Sequence, residues 1–297
     1  MNILITGGNG FIGTALTTHL DNAGHRVTVL GRRAPASLVE FVKCDMLDDA
    51  VTPEMLMGQE AIIHLVGTPV FSRWTKRKKQ MMWRSRVETA QKLVDAILAL
   101  PVSERPKVVV GASATGYYGA GGSDELVEES RAGSGFLAKL CVAWERAWEP
   151  LSDVGIRIVT IRTGVVIGAG GGIMGALLPI YKLGLGPIIG SGHEYFSWVS
   201  MDDLLRMYEL SLTNKVLSGP VNAVAPGAVT YREFAKAIGR TVNRPVFLPS
   251  PIWLMDIALN GAAKAGFVSA NVVPAKLAAL SFEYQCPTLE LAIRKAL

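Results

Sequence analysis

The chain has 297 residues, 49% of them apolar and 19% charged, with a formal net charge of +5. This composition suits one large folded domain with a smaller appendage and excludes a disordered chain. Three scattered cysteines (Cys44, Cys141, Cys286) and four scattered histidines give neither a disulfide framework nor a zinc-ligand spacing, so a reducing, cytoplasmic setting and no metal are expected.

Met1 runs directly into the apolar Asn2–Ile5, so no secretory leader is expected. Asn2–Thr6 reads as a buried strand. Gly7-Gly8-Asn9-Gly10-Phe11-Ile12-Gly13 is a tight turn, and Ile12, Leu16 and Leu20 recur at helical spacing until Gly24. Arg26–Leu30 is a second strand, completing a βαβ opening. Further strands are predicted at Phe41–Lys43, Ala61–Val66, Lys107–Gly111 and Arg157–Ile161. Long helices are predicted over Lys78–Leu100 and Gly135–Leu151. Strands alternating with helices at this spacing argue for a doubly wound parallel sheet.

Beyond Gly168 the pattern loosens. Ile173–Ile189 is apolar but broken by Pro179 and several glycines, so it reads as a loop and short helix rather than a membrane span. Short helices are expected at Met201–Leu212, Tyr231–Thr241, Ile252–Ala265 and Leu289–Ala296. Asp202 and Asp203 read as caps of the first of these. A strand at Val221–Val224 returns to the sheet. The expected architecture is α/β, a Rossmann-like doubly wound parallel sheet with a smaller C-terminal α/β substrate domain. Residues 1–168 form the dinucleotide-binding domain, with the strand near 220–224 returning to it, and 169–297 form the smaller region.

The positive charge is local. Seven basic residues and no acidic ones fall between Val70 and Val87, and the rest of the chain is slightly acidic. A solvated helix face or an anion-binding wall explains this better than a nucleic-acid interface.

Gly7, Gly10 and Gly13 each have a physical task. Gly7 permits the sharp turn, Gly10 lets a pyrophosphate approach the backbone, and Gly13 lets the helix pack close to the sheet. The helix N-terminus at Phe11–Ile12 then faces the phosphates, with Asn9 in the turn beside them. The second strand ends in Leu30-Gly31-Arg32-Arg33, with no acid before Glu40. An acid there would bond a ribose 2′-hydroxyl, whereas Arg32 can fork onto a 2′-phosphate, so NADP(H) is expected. Asp45 follows the third strand, where it could accept from the adenine amino group or simply form a turn. Leu65-Val66-Gly67 ends the fourth strand beside the adenosine ribose and pyrophosphate.

On Thr6–Gly13, Arg73-Trp74, Ser85-Arg86-Val87-Glu88-Thr89, Gly116-Tyr117-Tyr118-Gly119, Phe196-Ser197-Trp198 and Pro220–Pro226, the chain resembles the atypical extended short-chain dehydrogenase/reductases of the SDR39U1-type (YfcH-like) NAD(P)-dependent epimerase family. The resemblance spans essentially the whole chain. It implies that Arg86 reaches the cofactor and that Arg162 lies near the nicotinamide half. The alternative for each is a structural ion pair. It also implies a Tyr-x-x-x-Lys pair with a Ser after the fifth strand. Ser113 fits the Ser. The pair is missing: anchoring on Glu145 puts Leu137 and Cys141 at the two positions, and anchoring on Lys139 puts Gly135 at the first. Tyr117 or Tyr118 is a substitute acid/base candidate or pocket packing.

A substrate wall is expected from Arg73, Trp74, His193, Glu194, Phe196 and Trp198, suiting a small polar, nucleotide-sugar-like molecule. Two functions stay open: an NADP(H)-dependent oxidoreductase or epimerase, and a non-catalytic NADP(H)-binding regulator, some relatives being linked to cell or plastid division. No membrane or nucleic-acid partner is expected, and a homo-oligomer is left open.

Overall fold

The computed structural model describes residues 1–250, Trp253, Asp256 and 269–297. The chain opens with β1 (Asn2–Thr6), α1 (Phe11–Asn22), β2 (Arg26–Gly31), β3 (Glu40–Lys43) and β4 (Ala61–His64). Then come α2 (Lys76–Trp83), one π turn (Arg84–Glu88), α3 (Thr89–Ala99), β5 (Val108–Ala114), β6 (Glu125–Leu126), α4 (Phe136–Arg146), α5 (Glu149–Ser152) and β7 (Arg157–Thr163). Next are β8 (Val165–Ile167), α6 (Gly172–Lys182), β9 (Pro187–Ile189), β10 (Tyr195–Phe196), β11 (Trp198–Ser200), α7 (Met201–Thr213) and β12 (Gly219–Ala223). The chain finishes with β13 (Val229–Thr230), α8 (Tyr231–Thr241), β14 (Leu248–Ser250), β15 (Asn271–Val272), α9 (Ala275–Ala279) and α10 (Leu289–Lys295).

Seven strands form one parallel sheet in the order β12-β7-β5-β4-β1-β2-β3. Such strands are apolar on both sides because helices cover both faces. Leu4, Ile62 and Val109 point to the face carrying α3, α4 and α5. Ile3, Ile5, Ile63 and Val110 point to the face carrying α1 and α7. Chain connections leave β1 toward β2 on one side, while β4 joins it on the other. The order therefore reverses at β1, and the crevice at the carboxyl ends of β1 and β4 is the place for a ligand. The C-terminal region has its own core, where Phe196, Trp198, Tyr231, Phe234 and Ile293 pack together.

Two local readings change. The helix expected over Lys78–Leu100 is α2, the π turn and α3. The widened turn is held by side chains: Ser85 Oγ donates to the Met82 carbonyl (3.2 Å) and Thr89 Oγ1 to the Ser85 carbonyl (3.0 Å). The helix expected over Gly135–Leu151 splits after Arg146, because Pro150 has no N–H for the Arg146 carbonyl. The helix expected within Ile173–Ile189 is α6 (Gly172–Lys182), which takes Pro179 inside it and is followed by β9. The helix expected at Ile252–Ala265 lies outside the described residues. Among the described residues no helix is long and apolar enough to cross a membrane.

Candidate dinucleotide and substrate site

The turn between β1 and α1 is built from backbone. Gly7 has φ +76°, and a Cβ there would sit 2.8 Å from the Leu65 carbonyl carbon, so the turn presses on the end of β4. At position 13 a Cβ would lie 2.2 Å from the Gly7 carbonyl oxygen, which fixes how closely α1 meets the turn. Gly10 is the N-cap of α1 in extended backbone (φ −77°, ψ 174°) and supplies no side-chain cap. The first N–H groups of the helix, at Phe11, Ile12 and Gly13, are therefore left for an acceptor outside it. The Phe11 ring points away from the turn and rests against Gly168, Gly171 and Gly172.

Asn9 ties this turn to the next one. Its Nδ2 donates to the Arg33 carbonyl at 2.6 Å. Gly7, Gly10, Gly31, Arg32, Arg33, Asp45, Leu65, Val66 and Gly67 then line one cleft of about 430 Å³. Arg32 and Arg33 stand exposed at its lip, and neither guanidinium is paired within the described residues. The nearest acid along the chain, Glu40, is already engaged by Arg26 Nε and Thr28 Oγ1, both at 3.2 Å. Asp45 serves its own turn, accepting from the Leu47 N–H at 3.2 Å. Sequence reasoning missed Ser85, which lines the same cleft and accepts from the Thr68 N–H at 3.1 Å. Its place beside Arg86 was the available signal. A larger cavity of about 760 Å³ opens on the other side of Gly10, toward Gly168 and Lys295. Lys295 there is bound to Asp202 (2.7 Å), so the cavity offers no free cation among the described residues.

The predicted catalytic residues form one buried network on the β5–β7 side of the sheet. Ser113 Oγ donates to Glu145 Oε1 at 2.6 Å. Arg162 grips the same carboxylate with two bonds, Nε to Oε1 (2.9 Å) and Nη2 to Oε2 (2.8 Å). Its Nη1 donates to the Tyr118 hydroxyl at 2.9 Å. That hydroxyl also lies 2.7 Å from Asn222 Oδ1 and 3.0 Å from the Val127 carbonyl, both acceptors. The Tyr117 ring covers the Arg162 guanidinium at 3.4 Å. Burial opposes the Arg162 charge, but hydrogen bonding and attraction from Glu145 raise its pKa overall. Burial pushes the Tyr118 hydroxyl up to about 12, against the pull of Arg162. Arg162 thus forms a buried ion pair with Glu145.

Leu137 and Cys141 stand where the proton-transfer pair was sought. The Cys141 thiol is wholly buried, and that burial pushes it up to about 12. The six expected substrate residues do not meet. Trp74 is 4% exposed, donates to the Val70 carbonyl (2.9 Å) and meets Phe136 edge-on. Phe196 stacks on Phe234 in the separate C-terminal core, with Trp198 beside it, each 2% exposed. Glu194 holds its own turn, accepting from the Gly192 N–H at 3.0 Å. His193 and Arg73 are exposed. Aromatic residues next to charge read alike in sequence whether they line a pocket or fill a core, and here they fill two cores.

A family model described as the NAD dependent epimerase/dehydratase family matches residues 3–223. The chain belongs to that family. It is 36% identical over 294 residues to the epimerase family protein Mb2239 of Mycobacterium bovis, covering 98% of this chain and 96% of that protein. With the human epimerase family protein SDR39U1 it shares 33% identity over 301 residues, 99% of each chain. The crystal structure of human SDR39U1 (isoform 2) with NADPH matches it with a TM-score of 0.88 at 31% identity, covering 100% of this chain and 99% of that one. The cleft fits the family's cofactor class: an uncapped helix N-terminus, a glycine turn with no Cβ to block it, and two guanidinium groups at its lip that are unpaired among the described residues.

Proposed function

We propose that the protein is an NADP(H)-dependent oxidoreductase or epimerase of the extended short-chain type, acting on a small polar substrate. The observation that carries this reading is the pair Arg32 and Arg33, unpaired among the described residues at the lip of the cleft, where an NAD-preferring site would place an acid. The NADPH bound by the human relative supports the same choice. Here the cofactor would supply or accept hydride. Phe11–Gly13 would hold its diphosphate, Arg32 its 2′-phosphate, and Ser113 would orient a substrate oxygen. The three buried free cysteines suit a reducing compartment.

A second reading, a non-catalytic NADP(H) sensor, draws on one observation. Leu137 cannot exchange a proton, and the Cys141 thiol and Tyr118 hydroxyl are held protonated. A fluorescence titration with NADPH and NADH tests what the two readings share. Tighter binding of NADPH is expected, and Arg32→Ala should cut that preference by about tenfold, the worth of a charged hydrogen bond. An unchanged preference would refute the phosphate assignment. A panel of carbonyl substrates then separates the two. NADPH oxidation slowed by Tyr117→Phe supports the enzyme, and tight binding with no oxidation supports the sensor.

A further inference from the structure

Seven cations fall between Val70 and Val87 with no acid among them. Two are engaged within the fold. Arg84 reaches Glu88 at 3.2 Å and Asp48 at 3.6 Å, and Arg86 Nη2 donates to the Thr68 carbonyl at 3.0 Å. The others, Arg73 and the Lys76–Lys79 run that opens α2, meet no carboxylate among the described residues.

Lys79 stands apart from the rest of the run. Its Nζ lies 5.1 Å from the centroid of the Trp74 ring and 5.4 Å from that of Phe136. The two rings meet edge-on at 5.4 Å, so they form a corner around the ammonium. Both rings are fixed in place. Trp74 is buried and donates to the Val70 carbonyl at 2.9 Å, and Phe136 is the first residue of α4. Thr75 caps α2, accepting from the Lys78 N–H at 3.1 Å, which sets the helix end that presents Lys79. Ring faces order an ammonium without neutralising it. Lys79 is exposed, and its three N–H donors meet no oxygen acceptor among the described residues.

The corner flanks the end of α4 where proton transfer was sought. Phe136 is the chain neighbour of Leu137. A Cβ on Gly116 would lie 3.5 Å from the Leu137 Cβ, so this end of α4 packs on the turn that follows Ser113. The first turn of α4 carries no acid that could offset the Lys79 charge.

We propose that Lys79 is a specificity-determining residue that binds a phosphate group of the substrate. The substrate class is then a phosphate ester of a small polar alcohol or carbonyl compound. This rests on the oxidoreductase or epimerase reading above and narrows its substrate. A lysine binds phosphate as a point charge, and neighbouring unpaired cations raise the local concentration of a doubly charged group. Trp74 and Phe136 act through Lys79, holding its ammonium toward the crevice.

The test titrates inorganic pyrophosphate into NADPH-saturated protein at fixed ionic strength, followed by calorimetry. Saturable binding is expected. Lys79→Met should weaken it by about tenfold, and Lys79→Arg should stay within about threefold of the parent chain. Arg77→Met removes an equal charge about 200° around α2 and should change binding by less than about twofold. Malonate, a dicarboxylate of similar size, should bind more weakly than pyrophosphate. Equal losses from Lys79→Met and Arg77→Met would reduce the wall to diffuse attraction and overturn the assignment. So would tighter binding of malonate, or no saturable binding at all. NADPH is titrated separately into the unmodified chain. No binding there would remove the cofactor reading, and the same pyrophosphate series on the ligand-free protein would still decide the role of Lys79.

Discussion

His64 shows how one buried side chain at the cleft makes the fold depend on pH. It ends β4, is fully buried, and is held by Thr6 Oγ1 at 2.7 Å and Thr89 Oγ1 at 3.2 Å. Trp148 meets its ring edge-on at 5.3 Å. Burial first, and then the nearby Arg86 charge, lower its pKa from 6.5 to about 3. Above pH 6.5 the ring is neutral in both folded and unfolded chains, and the stability is full. As pH falls from 6.5 toward about 3, the unfolded chain takes up a proton that the folded one refuses, so stability is lost through that window. His64→Gln removes this titration. Urea midpoints measured from pH 7 to pH 4 should fall less steeply for the variant than for the parent chain, whatever the offset at pH 7. Parallel slopes would rule out the buried neutral imidazole. Nothing in the sequence marked His64 as more than a strand residue, because its role comes from Thr6 and Thr89, far away in the chain.

At the scale of elements, the two outer glycines of the turn separate function from packing. Gly10 already has the extended backbone of an N-cap, and a Cβ there would meet only the Gly7 oxygen, at 3.3 Å. Gly10→Asp should therefore leave thermal stability within about 0.5 kcal/mol, since Asp caps as well as Gly or slightly better. It should abolish NADPH binding, because its carboxylate would occupy the N–H groups and repel phosphate. Gly13→Ala should instead lower the melting temperature, since its methyl would strike backbone at 2.2 Å. Equal effects of the two substitutions would show that the turn is only a packing device. This part of the fold was legible in the residues: strand, glycine spacing and helix sit together between Asn2 and Asn22, and local rules govern them. The same holds for β2, β4, β5 and β7, whose apolar runs reflect burial on both faces. Less was legible where long-range pairing decides. The π turn depends on Ser85 and Thr89 bonding widened carbonyls, and β8–β11 and β13–β15 are two- or three-residue strands with no pattern of their own. Of the candidate site, the Arg32 lip and glycine cradle were readable, whereas the Glu145–Arg162–Tyr118 network needed three distant segments to be folded first.

For the whole molecule, α7 and β12, which follow residue 168 in the chain, belong to the core around the sheet. β12 closes one edge of the sheet by pairing with β7, register Gly219 to Val159 through Ala223 to Thr163. Leu204, Leu205, Met207, Tyr208 and Leu212 of α7 share one cluster with Ile3 and Ile5 of β1 and Val159 and Ile161 of β7. Arg157 of β7 donates to the Ser211, Leu212 and Leu217 carbonyls, between α7 and β12, at 2.8–3.0 Å. A fragment of residues 1–168 would keep every glycine and arginine of the cleft yet lose the cover of one sheet face. Each large apolar side chain contributes about 1.5–3 kcal/mol on burial, so five of them are comparable to the roughly 5–15 kcal/mol that holds a whole domain together. The fragment should thus show no cooperative thermal transition by near-ultraviolet circular dichroism and no NADPH binding. Extending it to residue 223, so that α7 and β12 are present, should bring back a sigmoidal melt at reduced Tm. A cooperative melt for 1–168 alone, close to that of the full chain, would mean that the sheet stands without α7. In that case the dinucleotide cleft would be an independent unit.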